Sequence, residues 1–128
     1  LAPDMFALTR QVQIASDSAK GCVARLAGVE VPSYADDEAS FADLQQRIAK
    51  TVAFLKSVKP EQFQGAEGRA ISLSFPQVSF RFDNGVDYFN KWVLPNVYFH
   101  ITTAYAILRH NGIALGKADY LVGAAQSA

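Results

Sequence analysis

Sulfur and imidazole are scarce in this chain. It holds one cysteine, Cys22, and two histidines, His100 and His110, among 128 residues. The count excludes an intramolecular disulfide and a cysteine-based zinc site. A lone reduced thiol points to a reducing compartment, so the cytoplasm is the expected location. There is no surplus of charge of either sign: 12 Lys and Arg balance 12 Asp and Glu. Arg69, Arg81, Lys91, Arg109 and Lys117 lie far apart, so neither the basic stripe of a nucleic-acid binder nor a like-charge block for a membrane surface is present. Zero net charge gives little colloidal repulsion and is compatible with self-association, and a homodimer is expected. Apolar runs are only a few residues long, too short to span a bilayer, and no signal-peptide pattern is read near Leu1.

Hydrophobic residues make up 50% of the chain, enough for a real core, which excludes a disordered chain. The length suits one domain, residues 1–128. Ala2-Pro3-Asp4 is expected to open a first helix, with proline and an acid in its first turn. Met5, Leu8, Val12, Ala15, Ala19, Cys22 and Leu26 then recur at alternating spacings of three and four, the seam of helices packed nearly antiparallel in a bundle. Gly28 ends it, and the stretch from Val29 to Asp37 reads as a loop. A second helix is predicted from Ser40 to Ser57, opened by a Ser40/Asp43 capping box and striped by Phe41, Leu44, Ile48, Val52 and Leu55. Lys59-Pro60-Glu61 starts a short helical turn that Gly65 and Gly68 close.

The period then falls to two. Ile71, Leu73 and Phe75 alternate with serines, and Val78, Phe80 and Phe82 alternate with Ser79 and Arg81, which predicts an antiparallel hairpin laid on the helices. Pro76 does not suit a two-residue primed turn, so a looser connection is expected. Asp83-Asn84-Gly85 turns into a third long helix, Val86 to His110, kinked or split at Pro95 and stopped by Asn111-Gly112. The tail beyond Ile113, with Tyr120 and Leu121, is expected to fold back on the bundle.

Leu1-Ala-Pro-Asp-Met-Phe, Gln11-Val-Gln-Ile-Ala, Ala19-Lys-Gly, Leu26-Ala-Gly-Val-Glu-Val-Pro32 and Phe41-Ala-Asp-Leu carry a resemblance. It is strongest in Leu94-Pro-Asn-Val-Tyr-Phe-His100 and Thr103-Ala-Tyr-Ala-Ile-Leu-Arg-His-Asn-Gly112. Together these strings resemble an uncharacterised bacterial family of the DinB-like superfamily of four-helix bundles. The resemblance implies a mainly α, up-down DinB-like bundle with a short inserted β-hairpin. It also implies a long first helix upstream of Leu1, so the chain is expected to be a bundle lacking that helix. The apolar seam through Leu8, Val12, Ala15 and Ala19 would then lie open until a partner or a further segment covers it. The wider superfamily contains metal-binding proteins and thiol-dependent transferases, whose metal is held by one histidine on the second bundle helix and two, spaced by four, on the last. Here those places fall at Ser18, Ala104 and Leu108, so a three-histidine site cannot form within one subunit.

Nor do His100 and His110 make a pair. Ten residues apart on one helix, they are offset by about 80° and about 15 Å along the axis. His110, at the helix end, reads as a cation facing the dipole. His100 shares a face with Asn96 and Thr103, at i, i+4 and i+7, among Val93, Val97, Ala104 and Ile107. Buried polar groups need hydrogen-bond partners, and Gln11, Gln13, Asp17 and Ser18 on the first helix are the candidates. One reading is a satisfied histidine in a network that fixes helix register. The other is a ligand pocket between helices, built from Asp17, Asn96, His100, Thr103 and Gln13, with Asp17 orienting His100. Cys22, on the seam, reads as a small core residue. Ser74 and Ser79 lie in no nucleophile-elbow motif, and no catalytic residue is assigned.

The expected function is a small-ligand-binding or structural dimeric protein with no cofactor, no nucleic-acid partner and no membrane partner. The alternative is a transferase or hydrolase that uses a divalent metal or a thiol, with its polar cluster at His100 and Asp17.

Overall fold

In the computed structural model, which describes residues 1–122, the chain runs through five helices and one hairpin. Helix α1 spans Leu8–Ala27 and α2 spans Phe41–Ser57. Two 3-10 turns, Pro60–Phe63 and Ala66–Gly68, lead into strands β1 (Ile71–Ser74) and β2 (Ser79–Phe82). A continuous helical arm follows: α3 (Gly85–Tyr88), a π turn (Phe89–Val93) and α4 (Leu94–His110). Helix α5 is Lys117–Val122. Helix α1 is the centre of the molecule, packed on α2 on one side and on α4 on the other.

The α1 helix begins later than its sequence suggests. Pro3 and Asp4 lie in a tight turn closed by Met5 N–H donating to the Ala2 carbonyl. The Gln11 amide donates to the Phe6 carbonyl at 3.0 Å and fixes the extended chain that enters the helix. Asp4 therefore lies outside the first turn. At the other end Gly28 takes φ +69°, the left-handed cap conformation that favours glycine. Helix α2 opens on the full capping box: Ser40 Oγ accepts from the Asp43 N–H, and the Asp43 carboxylate accepts from the Ser40 N–H at 2.8 Å.

The expected kink at Pro95 is absorbed upstream, without a break. Proline removes one backbone donor and crowds the carbonyl four residues back, here Lys91. That carbonyl lies inside the π turn, whose wider coil leaves room for it. The turn has a packing consequence. Tyr88 and Val93, five residues apart, are 1% and 4% exposed. On a regular α-helix such a pair would point about 140° apart. The wider turn puts both into the core with Cys22, Ile71 and Leu73.

The hairpin pairs Ile71 with Phe82 and Leu73 with Phe80, antiparallel, with Ile71 and Leu73 buried. Its connection is tighter than expected. Phe75 and Val78 exchange backbone hydrogen bonds at 2.9 and 3.3 Å, leaving Pro76-Gln77 as a two-residue loop. Among the described residues only glycines have positive φ, so the loop is not a primed turn; proline is accommodated because its negative φ suits the first central position of an ordinary turn. Phe80 packs on Trp92 with ring centroids 4.6 Å apart, and Phe82 packs on Tyr88 at 5.5 Å, which seats the hairpin on the helical arm. At the far end α5 folds back on α4, where Tyr105 and Tyr120 meet edge to face.

The α2 face that packs inward takes only part of its apolar stripe, Leu44 and the half-buried Leu55. Leu44, Arg47 and Thr51 are buried, whereas Phe41, Ile48 and Val52 are exposed. On α1, Leu8, Val12, Ala15 and Ala19 are only half-buried, and Gln11, Gln13, Ser16 and Lys20 are buried. Gln13, Lys20 and Arg47 meet the loop from Val29 to Ala39. It carries Asp36 and Glu38 over the α1–α2 junction, where they ion-pair with Arg47 at 3.0 and 2.9 Å. Asp17 from α1 completes the charge cluster at 2.8 Å. Tyr34 of the same loop lies under Lys20, whose Nζ is 3.7 Å from the ring centroid.

Candidate functional site

A cleft of about 330 Å³ opens between α1 and the arm formed by the hairpin, α3, the π turn and α4. Helix α1 gives it Arg10, Ile14, Asp17, Ser18 and Arg25, successive positions on one flank. Opposite stand Leu73 and Phe75 of the hairpin, Tyr88 and Trp92 of the helical arm, and Asn96 of α4. Apolar walls with a few convergent polar groups are the usual make-up of a small-molecule site.

The charges around the cleft are unequally engaged. Asp17 Oδ1 accepts from Lys20 at 2.7 Å and from Arg47 at 2.8 Å. Arg10 pairs with Asp36 at 2.7 Å. Arg25 has no carboxylate within ion-pair distance among the described residues; its Nη1 donates to the Tyr88 hydroxyl at 3.2 Å. Burial raises the Tyr88 phenol above its ordinary value, against the opposing pull of Arg25. Beneath, burial pushes the Cys22 thiol up to about 11, again with Arg25 pulling the other way. A thiol so placed stays protonated at neutral pH and is a poor nucleophile.

The polar cluster expected from sequence divides into four. Asp17 and Asn96 line the cleft together. Asp17 does not orient His100, because its carboxylate is held by Lys20 and Arg47. His100 is buried and paired with Gln11, its Nδ1 2.7 Å from Gln11 Oε1. The tautomer follows from the neighbours. The Gln11 amide nitrogen donates to the Phe6 carbonyl, so its oxygen faces the ring and accepts from Nδ1–H. Burial, then the nearby Arg10 charge, lowers the His100 pKa below the ordinary imidazole value. Gln13 turns the other way and donates to Glu38 at 2.8 Å. Thr103 donates to the Phe99 carbonyl at 2.7 Å and faces a separate, broader groove with Leu1, Met5 and Ile107. His110 is exposed at the end of α4.

Three residues of consequence escaped the sequence reading: Arg25, Trp92 and Arg47. Trp92 offered one signal, as the single tryptophan of the chain. Arg47 falls at the i+3 position from Leu44 and Thr51 at i+7, one helical face whose mixed polarity hides it.

A model of a family described as a domain of unknown function, DUF1993, matches residues 1–121. The chain belongs to the DUF1993 family. The crystal structure of a DinB family member from Shewanella denitrificans is similar to this DUF1993 chain, with a TM-score of 0.84 and 43% sequence identity. The match covers 100% of this chain and 72% of that one. No curated protein sequence matches. The fold is thus a DinB-like helix bundle with an inserted hairpin. The residues present do not fit the superfamily's three-histidine metal set. The chain has two histidines where that set needs three, and among the described residues no three His, Cys, Asp or Glu side chains converge as a metal site. No helix among them is long and apolar enough to cross a membrane.

Proposed function

We propose that this DUF1993 chain is a small-molecule-binding protein whose site is the cleft between α1 and the hairpin–α4 arm. The observation that carries the reading is the lining: a half-buried indole, a buried phenol and a guanidinium that meets no carboxylate among the described residues stand with Ser18 and Asn96 in one cleft of about 330 Å³. His100 then acts as a structural residue, its imidazole held to Gln11 and removed from the cleft lining. Nucleophilic catalysis by Cys22 is disfavoured by its burial and its raised pKa. Metal analysis of protein purified without an affinity tag separates this reading from a metal-dependent enzyme, for which stoichiometric metal is required.

Trp92 gives a direct test. As the single tryptophan, it reports the cleft without background. A screen of small aromatic and aliphatic acids, amines and alcohols should produce a saturable shift in its emission for at least one chemical class. Binding that leaves Trp92 unmoved but perturbs the Thr103 groove by NMR would place the ligand elsewhere and defeat the reading.

A further inference from the structure

Arg25 lies in the last turn of α1, where a cation ordinarily serves the helix dipole. That task is already taken. The Gly28 N–H bonds back to the Ala24 and Arg25 carbonyls, and Arg69 Nη1 donates to the Leu26 carbonyl. The Arg25 guanidinium instead folds back along α1, over Gly21, and donates to the buried Tyr88 hydroxyl. The fold-back depends on glycine. A Cβ on Gly21 would collide with Arg25 Nη1 and crowd its Cζ. Glycine inside a helix is otherwise a cost, since it is the weakest helix former after proline. Gly21 is buried in mid-helix, so its benefit here is the space it leaves for the guanidinium.

Arg25 thus presents a positioned fork to the cleft, with no carboxylate of the described residues on it. The cleft's own acid, Asp17, is neutralised by Lys20 and Arg47. Phe75 and Trp92, rings 6.3 Å apart, form the aromatic side of the same space. Resting on the cleft reading above, we infer that the ligand is an organic monocarboxylate with an aromatic or apolar body, its carboxylate on Arg25 and its body against Trp92 and Phe75. Guanidinium is the side chain that matches a planar carboxylate with two parallel donors. The cleft volume of about 330 Å³ admits a molecule of one ring with a short side chain.

The test uses the whole chain and three probes: 3-phenylpropionate, its neutral analogue 3-phenylpropanol, and phenyl phosphate, each followed by Trp92 emission excited at the red edge of its absorption. The acid is expected to bind saturably and at least about tenfold more tightly than the alcohol, a factor equal to about 1.4 kcal/mol. Arg25→Gln should abolish that preference, and Arg25→Lys should recover only part of it. Gly21→Ala should weaken the acid about tenfold while leaving the thermal midpoint equal or higher, a split that a purely structural role for Gly21 would not give. Equal affinity for acid and alcohol, or an unchanged preference in Arg25→Gln, overturns the role of Arg25 and leaves the cleft reading standing. Tighter binding of phenyl phosphate overturns the carboxylate class. Failure of all three probes to move Trp92, while another compound of the broader screen does, overturns the ligand class alone; failure of that whole screen overturns the cleft.

Discussion

Removing Arg47 tests how the loop from Val29 to Ala39 is held. Its side chain is 1% exposed and lies among three carboxylates, Asp17, Asp36 and Glu38, at 2.8–3.0 Å. It also donates to the carbonyls of Ala35 and Gln13. Breaking a buried ion pair by deleting one partner costs about 3–5 kcal/mol, because a charge is left without its counterion. Here the low end applies. Asp17 and Asp36 are about two-fifths exposed and can turn to water, so only Glu38, 9% exposed, is stranded. Arg47→Ala should therefore lose about 3 kcal/mol, or about 10–15 °C in thermal midpoint for a domain of this size. Urea denaturation followed by Trp92 emission measures it. The pH profile supplies an independent signature. Burial alone would raise the Glu38 carboxyl, but hydrogen bonds from Arg47 and Gln13 outweigh it and lower its pKa below the ordinary glutamate value. A lowered folded-state pKa stabilises above the unfolded value, about 4.3, and that stability is lost as pH falls through the folded value. The acid limb of the stability curve should thus flatten in the variant. A loss below about 1 kcal/mol, the range of a surface pair, would refute the buried-charge reasoning.

His100, lowered by burial, should titrate by NMR below the ordinary value near 6.5, with Nδ1 protonated in the neutral form. Because the folded state resists its protonation, stability should be full above that pH and fall as pH drops through the folded pKa; a titration above 6.5 would contradict its placement. Cys22, at about 11, should react slowly with thiol reagents in the folded chain and rapidly in urea, and its contribution to stability should fade as pH rises from about 8.5 toward 11. Equal native and unfolded reactivity would show that the thiol is accessible. The exposed Phe41, Ile48, Val52 and Phe99 should make the folded chain bind an apolar dye and associate as concentration rises. Monomeric sedimentation without dye binding would show that these side chains form no continuous patch.

Local rules carried far in this sequence. The Ser40/Asp43 box, the Gly28 stop and the hairpin alternation each depend on a few neighbouring residues, and each reads directly. What failed was the choice of inner face. Apolar spacing on α2 pointed to Phe41, Leu44, Ile48, Val52 and Leu55, of which Leu44 is buried and Leu55 half-buried, but spacing cannot say which neighbours a helix will meet. The neighbour turned out to include an acidic loop, and Arg47 faces it. The His100 cluster failed for the same reason. Asn96, His100 and Thr103 share a helical face by spacing, yet each meets a different part of the chain. Gln11, one of four candidate partners, wins His100 because its amide is already oriented by Phe6. The Arg25–Tyr88 contact joins residues 63 apart and leaves no local trace in the sequence.

The two long helical segments that wall the cleft each contain, inside their ends, one residue that helices disfavour; Gly85 only opens its segment. Helix α1 has Gly21 and the α3–α4 arm has Pro95; α2, which stays clear of this cleft, has neither. A residue of this kind lowers local stability by about 1 kcal/mol for glycine and more for an interior proline. Selection for stability alone would favour alanine at Gly21, where the helix is otherwise regular. In both places the irregularity has a consequence at the cleft. Gly21 makes room for the Arg25 guanidinium, and the π turn that accommodates Pro95 contains Trp92. Departures from ideal local geometry concentrate where a protein gives up stability for a working site. Two such departures, 74 residues apart in sequence, converge on one cleft. The Gln11–His100 pair sits between the same two helices but involves no comparable irregularity, which fits a structural pairing there and a binding role at Arg25 and Trp92.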